Sequence, residues 1–158
     1  MDYLIREMKE TEYDLLNAFL YEAIFIPEGM TPPPMSIINE PELQVYVSGF
    51  GLQKHDRALV AEITGKIVGV VWVRIMNDYG HVDDLTPSFA ISLYKEYRGQ
   101  GIGTEMMRKM LLVLKDCGYE QVSLSVQKAN YAVKMYLKVG FEIIDENKEE
   151  YIMVSHLQ

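Results

Sequence analysis

The sequence predicts an α/β fold: one domain over residues 1–158, with a mixed, mostly antiparallel sheet of about seven strands flanked by about four helices. Three observations predict it. Runs with strand and helix periodicity follow one another in the order β-α-α-β-β-β-α-β-α-β-β. "RALVAEITGKIVGVVWVRIM" reads as a hairpin, with two β-branched runs around Thr64-Gly65-Lys66 and alternation through Val68, Val70 and Trp72. Finally, "SFAISLY", a glycine cluster, a long amphipathic stretch and "QVSLSV" form a βαβ unit, whose right-handed crossover makes its two strands parallel. The 158-residue length suits one domain, and the 49% hydrophobic and 24% charged composition is that of a globular chain.

The elements follow in chain order. "DYLIREMK" is a first strand. "TEYDLLNAFLYEAIF" places Leu15, Leu16, Phe19, Leu20 and Ala23 at helical spacing, with Thr11 as N-cap and Asp14 three residues on. "IPEGMTPPPM" is a loop, because neither helix nor strand interiors tolerate such proline density. "NEPELQVYVSGF" is a short helix with Asn39 as cap and Pro41 in its first turn. After the hairpin and the turn-rich "NDYGHVDD" comes the βαβ unit. Its helix sets Ile102, Met106, Met110, Val113, Leu114 and Cys117 on one face and stops at Gly118. "NYAVKMYLKV" is a short helix ending at Gly140, and "FEIID" and "YIMVSHL" are closing strands around "ENKEE".

Composition narrows the function. Cys117 is the lone cysteine, which excludes an internal disulfide and a multi-cysteine zinc site. His55, His81 and His156 lack metal-ligand spacing, so no metal is expected. The formal charge of -8 argues against nucleic-acid binding. No apolar run nears the ~20 residues of a membrane span. "MDYLIREMKE" lacks the apolar segment of a signal peptide. The expectation is a cytoplasmic protein without a membrane partner.

The chemistry gathers at "YRGQGIGTE". A Walker A loop fails: counting from Gly99, the sixth position is Thr104 and no lysine follows. A dinucleotide fingerprint fails at the same threonine, and the second strand ends in Gln127 and Lys128 where an acid should take a ribose hydroxyl. The pattern R-x-x-G-x-G is met by Arg98, Gly101 and Gly103. It offers bare N–H groups at a helix N-terminus, suited to a pyrophosphate, with charge or bracing from Arg98 and a hydroxyl from Thr104. Taken alone, it reads equally well as a glycine-rich turn that holds nothing.

Downstream, "SVQKANYAVKMYLKVGF" adds Asn130, Ala132, Tyr136 and Gly140-Phe141. Together these segments resemble the acyl-CoA-binding half of the GNAT superfamily of N-acyltransferases, and "VAEITGKIVGVVWVRI" resembles its central hairpin. The resemblance implies a sheet whose parallel pair splays apart, with acetyl-CoA as co-substrate lying along the exposed edge at Ser92, Leu93 and Tyr94. The amide of Leu93 would stabilise the oxyanion. Arg98, Gly99, Gln100, Gly101, Ile102, Gly103 and Thr104 would cradle the pyrophosphate, Asn130 would bind the pantetheine arm, and Tyr136 would protonate the departing thiolate. Tyr136 could equally be a packing tyrosine, and Asn130 a helix cap. Lys95 stands where the family often has proline, and "DDLTPSFA" lacks the acid that many members carry near the start of that strand.

The reading is therefore an N-acetyltransferase in which a primary amine attacks the thioester directly in a ternary complex. The alternative is a non-catalytic acyl-CoA-binding or sensor module. Glu28, in the proline-rich loop, and Asp84 are the acceptor-binding candidates, and with a water relay they are also the candidates for the unassigned base. Tyr21, Tyr46 and Trp72 supply aromatic wall or core. The acceptor is a small-molecule or peptide amine, and a homodimer is left open.

Overall fold

The computed structural model describes residues 2–158. Its seven strands are Leu4–Glu7 (β1), Arg57–Ile63 (β2), Lys66–Arg74 (β3), Ser88–Leu93 (β4), Gln121–Gln127 (β5), Glu142–Glu146 (β6) and Glu150–His156 (β7). They form one sheet in the order β1-β2-β3-β4-β5-β7-β6. Every neighbouring pair is antiparallel except β4 and β5. The helices are Leu16–Ala23 (α1), Pro41–Gln44 (α2), Ile102–Asp116 (α3) and Ala132–Lys138 (α4).

Central strand β3 is buried on both faces, so the sheet is the middle of three layers. Val71 and Val73 pack with Met106, Met107 and Met110 of α3. Val70 and Trp72 pack with Leu16, Phe19 and Leu20 of α1. The simple alternation expected through Val68 fails at a bulge. Ala61 pairs with Gly69 but Glu62 pairs with Ile67, which leaves Val68 unopposed. Val68 consequently joins the Val71 face, not that of Val70 and Trp72. The hairpin turn is two residues, Thr64 and Gly65, both at positive φ (45° and 83°), and Lys66 already belongs to β3.

Three local expectations are corrected. Thr11 and Asp14 do not cap the first helix: the chain enters through a 3-10 turn, Glu10–Leu15, where the Lys9 N–H donates to Glu12 Oε1 at 2.8 Å. Arg6 holds that glutamate from β1 at 2.8 Å, which keeps the Glu12 carboxyl at about 2. Asn39 ends a 3-10 turn, Met35–Asn39, and α2 starts after the extended Glu40 and lasts four residues. Cys117 is exposed past the end of α3, because the αL glycine Gly118 (φ 90°) turns the chain there. The buried face of α3 is instead Ile102, Met106, Met107, Met110 and Leu114.

Residues 45–56 carry little regular structure, and polar bonds from β3 hold them. Trp72 Nε1 donates to the Tyr46 carbonyl at 3.0 Å. Arg74 reaches the Val45 and Ser48 carbonyls at 3.1 and 2.8 Å and pairs with Asp56 at 3.0 Å. Arg74 and Asp56 side chains are 1% and 0% exposed. Removing one member of such a pair strands the other, at a cost of about 3–5 kcal/mol. Arg74→Met should therefore lower Tm by roughly 6–20 °C in a thermal melt. A fall below about 2 °C would mean that losing Arg74 does not strand Asp56.

Candidate active site

The strands β4 and β5 share a single register pair, Ser88 with Ser123, and then diverge. The apex is tied. The Ser123 N–H donates to the Pro87 carbonyl at 3.0 Å, and Ser123 Oγ to the Gly80 carbonyl at 2.7 Å. Ser88 Oγ donates to Asp78 Oδ1 at 2.9 Å, so the turn through Asp78–Gly80 bridges both strands. A side chain at Gly80 would sit 3.1 Å from the β5 backbone at Leu124 and Ser125, which is why the turn can lie so close.

Divergence exposes one edge of β4. The Tyr94 N–H is taken by the Val68 carbonyl of β3 at 3.0 Å. By strand alternation the amide of Ser92 also faces β3, while those of Ile91 and Leu93 face the gap. This corrects the expected edge. Leu93 presents its N–H, whereas Ser92 and Tyr94 do not, and the Ser92 hydroxyl is spent on the Phe19 carbonyl at 2.7 Å. The Leu93 carbonyl, on the same edge, accepts from Arg98 Nε at 2.9 Å. Arg98 also reaches the Glu22 carbonyl and carboxylate at 3.1 and 3.2 Å, so its bracing role is filled by β4 and α1.

The gap opens into a cleft of about 860 Å³ bordered by Ile91, Leu93, Arg98, Asn130, Tyr136 and the chain from Tyr21 to Met30. Past Arg98, Gly99 and Gly101 adopt positive φ (74° and 87°), and a Cβ on either would meet nothing within 4 Å. The bare loop leads into the first turn of the 15-residue α3, where N–H groups and dipole favour an anion. Its residues are not equivalent. Ile102 is 1% exposed and can offer only its amide, and Gln100 turns back to the Glu96 carbonyl at 2.9 Å. A Cβ on Gly103 would press Leu93 Cδ1 at 3.3 Å, so that glycine seats the helix against β4. Thr104 stands partly buried in the first turn.

Tyr136 is brought to the centre. It packs edge-on to Phe141, and its hydroxyl makes no hydrogen bond among the described residues. Burial pushes that hydroxyl well above the ordinary phenol range, so it is protonated at neutral pH. Asn130 does cap α4, accepting the Ala132 N–H on Oδ1 at 2.9 Å, and its amide nitrogen stays available to the cleft. Glu28 is exposed and lines the cleft; Asp84 does not. The Asp84 side chain, in the turn before β4, is 95% exposed and lies 3.3 Å from His81 Nε2.

Behind Tyr136 lies a second chamber of about 270 Å³, which shares Ile24, Phe25, Ile91, Asn130 and Tyr136 with the first. Its acids escape a sequence reading: Glu150 lines it, and Asp78 bonds the Tyr46 hydroxyl of its wall at 3.2 Å. The signal was the series Ser88, Ala90, Ser92 and Ser123, Ser125, Gln127, small or polar throughout, which gives that face of β4 and β5 no bulky apolar side chain. No cluster of three or more His, Cys, Asp or Glu that could hold a metal occurs among the described residues.

Residues 22–141 match the family described as Acetyltransferase (GNAT) family. The chain belongs to that family. The mouse N-acetyltransferase 8 is 32% identical over 114 residues, covering 72% of this chain and 47% of that protein. The [ribosomal protein bS18]-alanine N-acetyltransferase of Haemophilus influenzae is 33% identical over 63 residues, covering 40% and 43%. The chain thus spans less than half the length of these curated relatives. Among solved structures, a GNAT-family acetyltransferase from Streptococcus pneumoniae superposes with TM-score 0.69 at 23% identity, covering 98% and 99% of the two chains. The PaiA N-acetyltransferase from Thermoplasma acidophilum, in complex with coenzyme A, gives 0.70 at 18% identity with 99% of both covered. The GNAT fold, including the parallel pair at β4 and β5, is shared.

Burial raises the Asp78 carboxyl above its usual range, against the hydrogen bonds from Ser88 and Tyr46. A raised acid stabilises the fold fully below its unfolded pKa, about 3.9, and loses that contribution as pH rises through the folded value. Asp78→Asn cannot ionise, so its Tm relative to wild type should climb as pH rises from about 4 through the folded value. A difference that stays flat over that range would mean the folded and unfolded carboxyls titrate alike.

Proposed function

We propose that this chain is an acetyl-CoA-dependent N-acetyltransferase in which a primary amine attacks the thioester directly. One observation carries the reading: the unpaired amides of Ile91 and Leu93 face a cleft whose rim runs into a glycine-opened helix N-terminus. An edge in mid-sheet is costly unless a ligand or water pairs with it. The residues fit the co-substrate. The edge takes an extended amide-bearing arm, the amides from Gly101 to Thr104 take phosphates, and the amide nitrogen of Asn130 can hold the arm from α4.

When bound, acetyl-CoA supplies an activated acyl carbon and a thiol leaving group. The chain's residues do the rest. The Leu93 N–H donates to the thioester oxygen where negative charge develops. Tyr136, protonated through its burial, gives its proton to the departing sulfur. The one cysteine, Cys117, lies past the far end of α3, and the Ser92 hydroxyl is held by the Phe19 carbonyl, which favours direct attack by the amine. The positioned, unpaired Tyr136 hydroxyl favours catalysis over a binding-only module. A cytoplasmic setting and a small or peptide amine acceptor complete the proposal.

Acetyl-CoA should raise Tm by mass action, as about 2.7 kcal/mol at 100 times its Kd. NAD at equal concentration should do far less, and equal stabilisation would sink the glycine-loop assignment. Gly101→Asp keeps a backbone conformation that aspartate tolerates at roughly 1–2 kcal/mol. It should stay folded yet weaken acetyl-CoA binding by roughly tenfold or more, since it sets a carboxylate against the phosphates.

Tyr136→Phe should lower kcat by an amount in the lower part of roughly 10²–10⁴-fold, with acetyl-CoA affinity by calorimetry unchanged. The lower part is expected because a raised phenol is a reluctant acid and a thiolate leaves tolerably unaided. If kcat holds within about twofold, water protonates the sulfur. Free thiol released from acetyl-CoA across a panel of amines tests the activity itself. Binding without release would make the chain a non-catalytic module.

A further inference from the structure

The chamber behind Tyr136 has one charged group in its wall, Glu150, and no Lys, Arg or His. The Glu150 carboxylate has neither a hydrogen-bond donor nor an ion-pair partner among the described residues. Its basic neighbour Lys128 is engaged elsewhere, with Glu146 at 3.2 Å and over the Tyr151 ring at 5.2 Å. Around it apolar Leu43, Trp72 and Phe89 stand beside polar Ser125, Gln127 and Asn130. Partly buried carboxylates without partners are unfavourable unless a cation arrives. Burial accordingly pushes the Glu150 carboxyl up, with Glu149 adding to the effect.

Resting on the acetyl-transfer reading, we propose that this chamber is the acceptor subsite, that Glu150 receives the acceptor's ammonium, and that the preferred acceptor is a single primary amine on a short apolar stem. The size sets the stem. The chamber's roughly 270 Å³ is less than a third of the outer cleft's 860 Å³, which favours a short stem. Polyamines carry further cations for which the wall holds no second carboxylate, and a peptide carries more backbone groups than Ser125, Gln127 and Asn130 can satisfy.

The steps balance. Glu150 takes one ammonium proton and passes it to solvent. The freed nitrogen bonds to the acyl carbon as the carbon–sulfur bond breaks, and the sulfur leaves with the electron pair. Tyr136 protonates that sulfur and recovers a proton from the newly bonded nitrogen. The net products are amide, thiol and one proton.

The test uses the intact protein with 2-phenylethylamine, its uncharged counterpart 2-phenylethanol, spermidine and a short peptide beginning with alanine. Wild type should favour 2-phenylethylamine in thiol release. Glu150→Gln should raise its KM, and its Kd by calorimetry with coenzyme A present, by roughly tenfold or more. Binding of acetyl-CoA and of 2-phenylethanol should be unchanged, and Glu150→Asp should restore part of the amine affinity. Equal affinities of the wild-type and Glu150→Gln proteins for 2-phenylethylamine would overturn the proposal, as would an equal loss for 2-phenylethanol. Preference for spermidine or the peptide would overturn it too, while leaving acetyl transfer intact. If no amine is acetylated although acetyl-CoA binds, the acetyl-transfer reading fails by itself, and the calorimetric comparison still decides whether Glu150 holds an ammonium.

Discussion

The separation of β4 from β5 beyond Ser88 and Ser123 is the constraint from which the site follows. Neighbouring strands normally satisfy each other's amides, so parting two in mid-sheet leaves donors without partners. Here the parting is held at its apex by Ser88, Ser123 and the close-lying turn at Gly80. One exposed acceptor, the Leu93 carbonyl, is satisfied by Arg98, whose other end grips α1 at Glu22. The N–H of Leu93 faces the gap without a partner strand. A single side chain thus fixes the strand end, the helix wall and the start of the glycine loop.

The two faces of the sheet share the work unequally. Methionines of α3 and branched side chains of β3 form a dense apolar layer that sets the height of the α3 N-terminus. Gly103 against Leu93 brings that N-terminus to the edge of β4. On the other face, residues 45–56 have little regular structure and depend on the buried Arg74, Asp56 and Trp72 for position. The Tyr46 wall of the inner chamber is held through that anchor. Tyr136 stands where the two cavities meet and lines both.

Much of this was legible in the sequence. Element order, the hairpin, the crossover and its glycine loop follow from short-range rules: period-two and period-3.6 patterning, and glycine where φ is positive. Arg98, Asn130 and Tyr136, marked by the resemblance to the GNAT superfamily, border one cleft. What the tertiary structure alone decided depends on which distant groups meet. The bulge that moves Val68 to the other face arises from the pairing of β2 with β3. Which β4 amides are free depends on whether β3 or the gap lies beside them, so Leu93 is available and Ser92 and Tyr94 are not. Asp84 turns outward while Asp78, six residues before it, turns in. Glu150 reaches the chamber only because β7 pairs with β5 at Gln127, a contact between segments more than twenty residues apart that no local pattern encodes.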